Sequence, residues 1–374
     1  MVGGGNGGFI GNCHRLGAMQ DDLTELVAGC FSRNREKSLE TAKSWNMQDK
    51  SRIYGSWKEM AEKEAAREDG IDFVVIVTPN DTHFDIAKCF MEHGIHVMCD
   101  KPLTNTVEEA EELQRIAHER DILFGLTYTY TGYPMVRQAR EMIKAGMIGD
   151  IIHVKVAHPE DWVYEMLEAE QDPEKKLPWR FSPEKVGPAL CTGDVGTHAE
   201  QLLVQFTGLH IKRLAAVMDK FPSYIDLDTN VTALLDLGNG ISGDLWASQI
   251  AVGKGCDAYC YAIGTKGALE WHHTQPAILQ YHQKNKPTQV YDAGRPYNFP
   301  EALRITTIDP GHHEGFLEAF GNIYHSYAEV LMAKLEGRKA ENYTFPTIDD
   351  GVEGVKFVNA CVKSAQKGNC WVEL

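Results

Sequence analysis

The stretch Gly3-Gly4-Gly5-Asn6-Gly7-Gly8, followed by Phe9-Ile10, decides how this chain is read. Gly3, Gly5 and Gly8 satisfy the pattern G-x-G-x-x-G. Glycine lets a backbone approach a pyrophosphate closely, and a helix beginning at Phe9-Ile10 aims its N-terminal N–H groups and positive dipole end at such an anion. Alone the pattern is weak, because so dense a glycine run also matches as a plain flexible segment. A strand of about 5 residues normally leads into such a loop, whereas only Met1 and Val2 precede it here.

The sequence around the loop supplies context. Leu26–Phe31 reads as a buried strand, as do Ile71–Val77, His96–Cys99 and Ile122–Leu126. Helical stretches fall near 34–45, 82–93 and 106–119, the last opened by the capping-box pair Thr106 and Glu109. Short apolar strands alternating with helices predict a parallel, doubly wound sheet. Beyond residue 130 the pattern changes. A helix near 134–145 precedes strand-like runs at Ile151–His158, Ile211–Asp219, Asn230–Leu237, Ile241–Ala247 and Asp257–Ile263. Leu237-Gly238-Asn239-Gly240-Ile241 reads as a hairpin turn. Gly315–Leu335 and Asp349–Ala365 read as closing helices, with Asp349-Asp350 capping the last. The expected fold class is therefore α/β: a Rossmann-type domain over 1–128 and an α+β domain with a mainly antiparallel sheet over 129–374, its final helix packing back on the first domain.

Bulk properties narrow the function. A chain of 374 residues suits two domains. Its 37 basic and 53 acidic residues, net −16, argue against nucleic acid or an anionic membrane as partner. No apolar run reaches the ~18 residues of a membrane span, and no export leader is visible. Nine scattered cysteines without a CxxC pair fit a reducing cytoplasm. Cys256 and Cys260, four apart in a strand-like stretch, do not make a zinc site by themselves, so no metal is expected.

Two constellations carry chemistry. Cys99-Asp100-Lys101-Pro102 ends a strand at the carboxyl edge of the predicted sheet, where open α/β folds bind ligands. A lysine there can polarise a hydroxyl or relay its proton, although surface charge is the commoner role of such a residue. In Asp194-Val195-Gly196-Thr197-His198 a helix beginning near Asp194 puts residues four apart on one face, and a histidine beside a carboxylate suits a general base. The plain alternative is a helix cap followed by a core histidine. Lysine and histidine together supply what hydride removal from a secondary alcohol requires. Ser32-Arg33-Asn34 stands about 20 residues beyond the loop, where an acid normally meets the ribose of NAD. No carboxylate is present there. Arg33 can stack on adenine or meet a 2′-phosphate, so NAD and NADP both remain open.

With these motifs the whole chain resembles the Gfo/Idh/MocA family of oxidoreductases. Its marks are the glycine loop, Thr78-Pro79-Asn80 with His83, Lys101-Pro102 and Asp194–His198. The resemblance implies Lys101 and His198 as the catalytic pair, His198 being the acid/base, with Asp194 orienting the substrate hydroxyl. It implies a cis peptide before Pro102 and a cofactor lining of Gly3, Gly5, Asn6, Gly8, Phe9, Ile10, Ser32, Arg33, Thr78, Pro79, Asn80, His83, Asp100 and Lys101. It also implies an open second sheet with sugar contacts on one side and a subunit interface of a dimer or tetramer on the other. Asp100 stands where the family usually has Glu, and Thr127–Pro134 stands where many members have an Asn-Tyr-Arg segment. Gly311–Phe316 is similar to a segment of the branch containing levoglucosan dehydrogenase and glycoside 3-dehydrogenases, which points to C3 of a pyranoside.

Tyr133, Trp162, Trp179, Arg180, Asp194, His198 and His312 are the candidate substrate contacts; aromatic faces stack on sugar C–H surfaces. The expected activity is NAD-dependent oxidation of a secondary hydroxyl of a sugar, glycoside or cyclitol. The alternatives are an NADP-dependent carbonyl reductase, a glycoside-cleaving enzyme that oxidises and eliminates with tightly held NAD, and a cofactor-binding sensor.

Overall fold

The computed structural model describes residues 1–169, 179–340 and 343–374. It divides into two compact units, Met1–Tyr128 with Phe320–Val352 and Thr129–Ala319 with Glu353–Leu374.

The first unit is built on a four-stranded parallel sheet in the order β1 (Val2–Gly3), β2 (Phe73–Val77), β3 (His96–Cys99) and β4 (Phe124–Leu126). β2 and β3 are almost wholly buried and, apart from His96, apolar throughout, as a strand covered on both faces must be. Helices Phe9–Ala18, Arg35–Ser44, Trp57–Ala65, His83–Glu92 and Val107–Glu119 separate the strands. The Thr106 hydroxyl accepts from the Glu109 N–H as the capping motif predicts. Trp57–Ala65 is a helix the sequence reading did not include. The expected strand Leu26–Phe31 does not form as such. Its Gly29 and Cys30 make single parallel bridges to Ile53 and Val2. The cause is the partner: β1 is two residues long, so the ladder on that side closes after Gly3 N–H to Cys30 O and Cys30 N–H to Met1 O.

The second unit carries a nine-stranded sheet. β5 (Ile151–Pro159), β6 (Arg213–Asp219), β7 (Asn230–Asp236), β8 (Ser242–Ser248), β9 (Tyr259–Gly264), β10 (Ala268–His272), β11 (Ile278–His282), β12 (Gln289–Asp292) and β13 (Val372–Glu373) run in the order β12-β11-β10-β9-β5-β8-β7-β6-β13. All neighbours are antiparallel except β5 and β8. Gly238, Asn239 and Gly240 all have positive φ, the turn conformation that the β7–β8 hairpin sequence requires. Alternate residues of the central strands are buried: Val231, Ala233 and Leu235 of β7 and Leu245 and Ala247 of β8 join a core with Leu202, Leu203 and Phe206 of helix Thr197–Thr207. The opposite face is mixed, with exposed Ile152, Val217, Leu234 and Val290 among the charged groups Lys155, Asp244 and Glu270. β10 to β13 were not anticipated, because their apolar residues alternate over runs of only two to five residues. Among the described residues no helix is long and apolar enough to cross a membrane.

Candidate active site

In the first unit the glycine loop turns directly from β1 into helix Phe9–Ala18. Gly3 has φ +80°, and a Cβ there would meet the Val77 carbonyl oxygen at 2.2 Å; one on Gly11 would meet the Gly4 oxygen at 2.1 Å. Strand, turn and helix can therefore close on one another only through glycine. Gly7, also with positive φ, faces open space instead, with nothing within 4 Å of a Cβ position. The helix that follows has no side-chain cap and no acid in its first turn, so its leading N–H groups and dipole suit an anion. This loop fits a dinucleotide pyrophosphate. Asn6 is tied to the next helix, its N–H to Thr41 Oγ1 and its Oδ1 to Ser44 Oγ. Asn34 caps that helix, accepting from Glu36 N and Lys37 N at 2.8 and 3.3 Å, while Arg33 is exposed. Ser32 accepts at its carbonyl from Ser38 Oγ. These bonds leave Arg33 as the only charged side chain of the Ser32–Asn34 turn.

The Lys101 turn is held through its backbone. The Lys101–Pro102 peptide is cis, in agreement with the sequence expectation. His83, buried at 1% exposure, joins this turn to the one after β2: Nδ1 lies 2.9 Å from the Pro102 carbonyl and Nε2 2.9 Å from the Thr78 carbonyl. Thr82 Oγ1 donates to the Pro79 carbonyl at 2.7 Å and lies 2.8 Å from Thr78 Oγ1, closing the Thr78–Asn80 turn. Asp100 Oδ1 accepts from the Lys101 N–H at 2.9 Å and from Thr127 Oγ1 at 3.2 Å, with His14 Nε2 3.8 Å away. Burial pushes this carboxyl upward, but His14, Lys101 and His83 outweigh it and hold its pKa down at about 2. In this arrangement Asp100 and His83 shape the turn while Lys101 is left half-buried.

The second unit's candidates meet through side chains. The expected helix start near Asp194 is corrected: Thr192–Gly196 is a π-helical turn and the regular helix is Thr197–Thr207. Asp194 is therefore no cap. Its Oδ2 accepts from Gln249 Nε2 at 2.8 Å, and the same amide donates to Glu160 Oε1 at 3.3 Å. π-Turns are rare and widen the backbone ladder by one residue. Here the turn is anchored by Asp228, 3% exposed, whose carboxylate accepts from Leu190 N, Thr192 N and Thr192 Oγ1 at 2.7, 2.8 and 2.6 Å. Burial nevertheless raises the Asp228 carboxyl above its ordinary value, because three hydrogen bonds do not fully replace water around a buried charge.

His198, 9% exposed, packs edge-on against Tyr130 at 4.9 Å between ring centroids, and His158 lies 5.7 Å away. Tyr130 also meets His158 and His273 edge-on, and its hydroxyl is 3.1 Å from Cys256 Sγ. Burial lifts the Tyr130 phenol well above its usual range and the Cys256 thiol to about 11. Burial lowers the His273 imidazole, against a hydrogen bond to the Cys256 carbonyl that favours its charged form.

Tyr133 is 1% exposed against Trp271 and His273, so it belongs to the interior. Trp162 donates to Glu160 and packs near Phe181. Trp179 is 41% exposed with the Arg180 guanidinium 4.8 Å over its ring. The exposed His312 is bonded to the Asp309 carbonyl. Glu314 of the same segment holds Thr307 and Ile308.

Sequence reading missed Tyr130, His158, Glu160, Gln249, Cys256 and Asp228. Two of them left a faint trace: His158 and Glu160 stand two apart at the end of a strand, hence on one face.

A glycine turn fitted to a pyrophosphate at the edge of a four-stranded parallel sheet defines a dinucleotide-binding domain of the Rossmann type. The comparisons with known proteins agree. Residues 1–128 match the model of the oxidoreductase family with a NAD-binding Rossmann fold, and residues 136–270 match the GFO/IDH/MocA C-terminal domain. The chain belongs to the Gfo/Idh/MocA family. It is 34% identical over 386 residues to YfiI, an uncharacterised oxidoreductase of Bacillus subtilis, covering 100% of this chain and 95% of that protein. An inositol dehydrogenase homolog from Azotobacter vinelandii, crystallised with NAD+, superposes with TM-score 0.94 at 36% identity, over 100% of this chain and 96% of that one. Levoglucosan dehydrogenase of Pseudarthrobacter phenanthrenivorans is 24% identical over 98% of this chain and 96% of its own length.

Proposed function

We propose that this protein is an NAD-dependent dehydrogenase that oxidises a secondary ring hydroxyl of a cyclitol or sugar. The observation that carries this reading is the placing of Asp194 on a π-turn that runs directly into the helix bearing His198, with Asp228 holding the turn through Thr192 and Gln249 holding the Asp194 carboxylate. Such support keeps a proton-handling group in one orientation, as general acid–base catalysis demands.

NAD, when bound, accepts the hydride. The chain's own residues would do the rest. The glycine loop and the N-terminus of helix Phe9–Ala18 hold the pyrophosphate, and Thr78, Pro79 and Asn80 border the cofactor. Lys101 would donate a hydrogen bond from its ammonium to a substrate oxygen and stabilise negative charge developing there. Asp194 would orient a substrate hydroxyl, and His198 would take its proton. Tyr130, a neutral phenol against the His198 ring, limits where that imidazole can turn.

The substrate class rests on a likeness to a solved structure. The Azotobacter homolog has also been crystallised with NADH and myo-inositol, at 36% identity to this chain and TM-score 0.91. The alternative of a pyranoside oxidised at C3 draws on Gly311–Phe316. Because His312 is exposed and Glu314 holds its own loop, cyclitols rank ahead of glycosides in the proposal.

The test follows NADH absorbance across a panel of inositols and pyranosides with NAD and NADP. Turnover of at least one polyol, lost on Lys101→Ala and His198→Ala, is expected. Full turnover by both variants would overturn the assignment.

A further inference from the structure

His158, Glu160 and Cys256 place an imidazole nitrogen, a carboxylate oxygen and a thiol sulfur within 4.8 Å of one another, the single such group of potential metal ligands among the described residues. His158 and Glu160 come from the end of β5, and Cys256 from the loop that leads into β9, so three ligand types converge from two segments about a hundred residues apart. We propose that these three side chains form a binding site for a zinc-class divalent cation.

The dimensions suit it. Zn–N bonds of about 2.0–2.1 Å and a Zn–S bond of about 2.3 Å at tetrahedral angles put nitrogen and sulfur about 3.5 Å apart. His158 Nε2 and Cys256 Sγ are already 3.4 Å apart. The Glu160 oxygen, within 4.8 Å of the other two ligand atoms, needs to approach by no more than about 1 Å to complete the same tetrahedral face.

The surroundings also suit a metal. The Glu160 carboxylate is held by Trp162 Nε1 and Gln249 Nε2, and the Tyr130 hydroxyl points at Cys256 Sγ. Donors of this kind orient carboxylate and thiolate ligands from outside the coordination sphere. Mixed nitrogen, sulfur and oxygen donors select zinc or cobalt over magnesium or calcium. On binding, the cation takes Cys256 as thiolate and the thiol proton leaves to solvent. Three protein ligands leave a fourth position for water or for an oxygen of a small molecule.

The proposal is independent of the dehydrogenase reading, and its test does not read activity. Full-length protein, dialysed against chelator, is titrated with Co2+ and followed for the near-ultraviolet thiolate-to-cobalt charge-transfer band. The expected result is a saturable band at about one equivalent. It should vanish in Cys256→Ser, and His158→Asn and Glu160→Gln should each weaken cobalt binding at least tenfold. Circular dichroism of each variant checks folding; if Cys256→Ser does not fold, the other two variants carry the test. No band in the wild type, or a band unchanged in the folded variants, would overturn the site.

Discussion

The Lys101 turn and the His198 cluster are built on opposite principles. Around Lys101, polar side chains grip backbone: the buried His83 reaches two carbonyls and the half-buried Asp100 takes an amide. Around His198, side chains grip one another: Gln249 links Asp194 to Glu160, and Tyr130 touches three histidines and a thiol. The first arrangement fixes a loop largely through residues other than Lys101 itself. The second makes its functional residue part of the packing, so function and stability are coupled there.

The largest expected effect tests that difference directly. Lys101→Ala and His198→Ala should each lower kcat/KM by about 10²–10⁴-fold, the usual worth of a proton-handling group. Their melting temperatures should separate: Lys101→Ala stays near the wild type, while His198→Ala falls, because it removes a ring packed on Tyr130 and His158. Equal melting temperatures would break the comparison.

Next in size is Asp228→Ala. It leaves three buried donors unpaired at about 1 kcal/mol or more each, so urea denaturation should show a loss of about 3 kcal/mol. Activity should fall with it, since the turn bearing Asp194 loses its anchor. A stable protein with full activity would contradict the role given to Asp228.

Asp100→Asn is smaller and carries a pH signature. The carboxyl's pKa is about 2 when folded against an ordinary 3.8. A depressed carboxyl stabilises the fold above its unfolded pKa, and that stability is lost as pH falls through the folded value. Wild type should exceed the variant by about 2 kcal/mol at neutral pH. The gap should shrink between about pH 4 and pH 2 in denaturation curves. A pH-independent gap would mean that Asp100 acts only by shape.

The smallest effect belongs to Asn34→Ala, which removes one helix cap and should cost about 1 kcal/mol, with little change in turnover.

The same contrast explains what the sequence disclosed. The glycine loop, the Thr106 cap, the β7–β8 hairpin and the Lys101-Pro102 turn are local, each written in a few consecutive residues, and each formed as read. The strand at Leu26–Phe31 misled because strand formation depends on a partner, and β1 offers only two residues. The π-turn at Thr192–Gly196 misled because Asp228, well downstream in the chain, sets it. The cluster of Tyr130, His158 and Cys256 was illegible: its contacts join residues 98 and 126 positions apart, and no local pattern announces them.

The most direct measurement of the central claim is NADH formation by the purified protein from NAD and myo-inositol or its isomers, beside Lys101→Ala. The account predicts a rise in NADH absorbance with at least one cyclitol or pyranoside and a loss of at least about 100-fold in the variant. A folded wild-type protein that binds NAD yet reduces it with none of these polyols, or a variant that turns over at the wild-type rate, would contradict it.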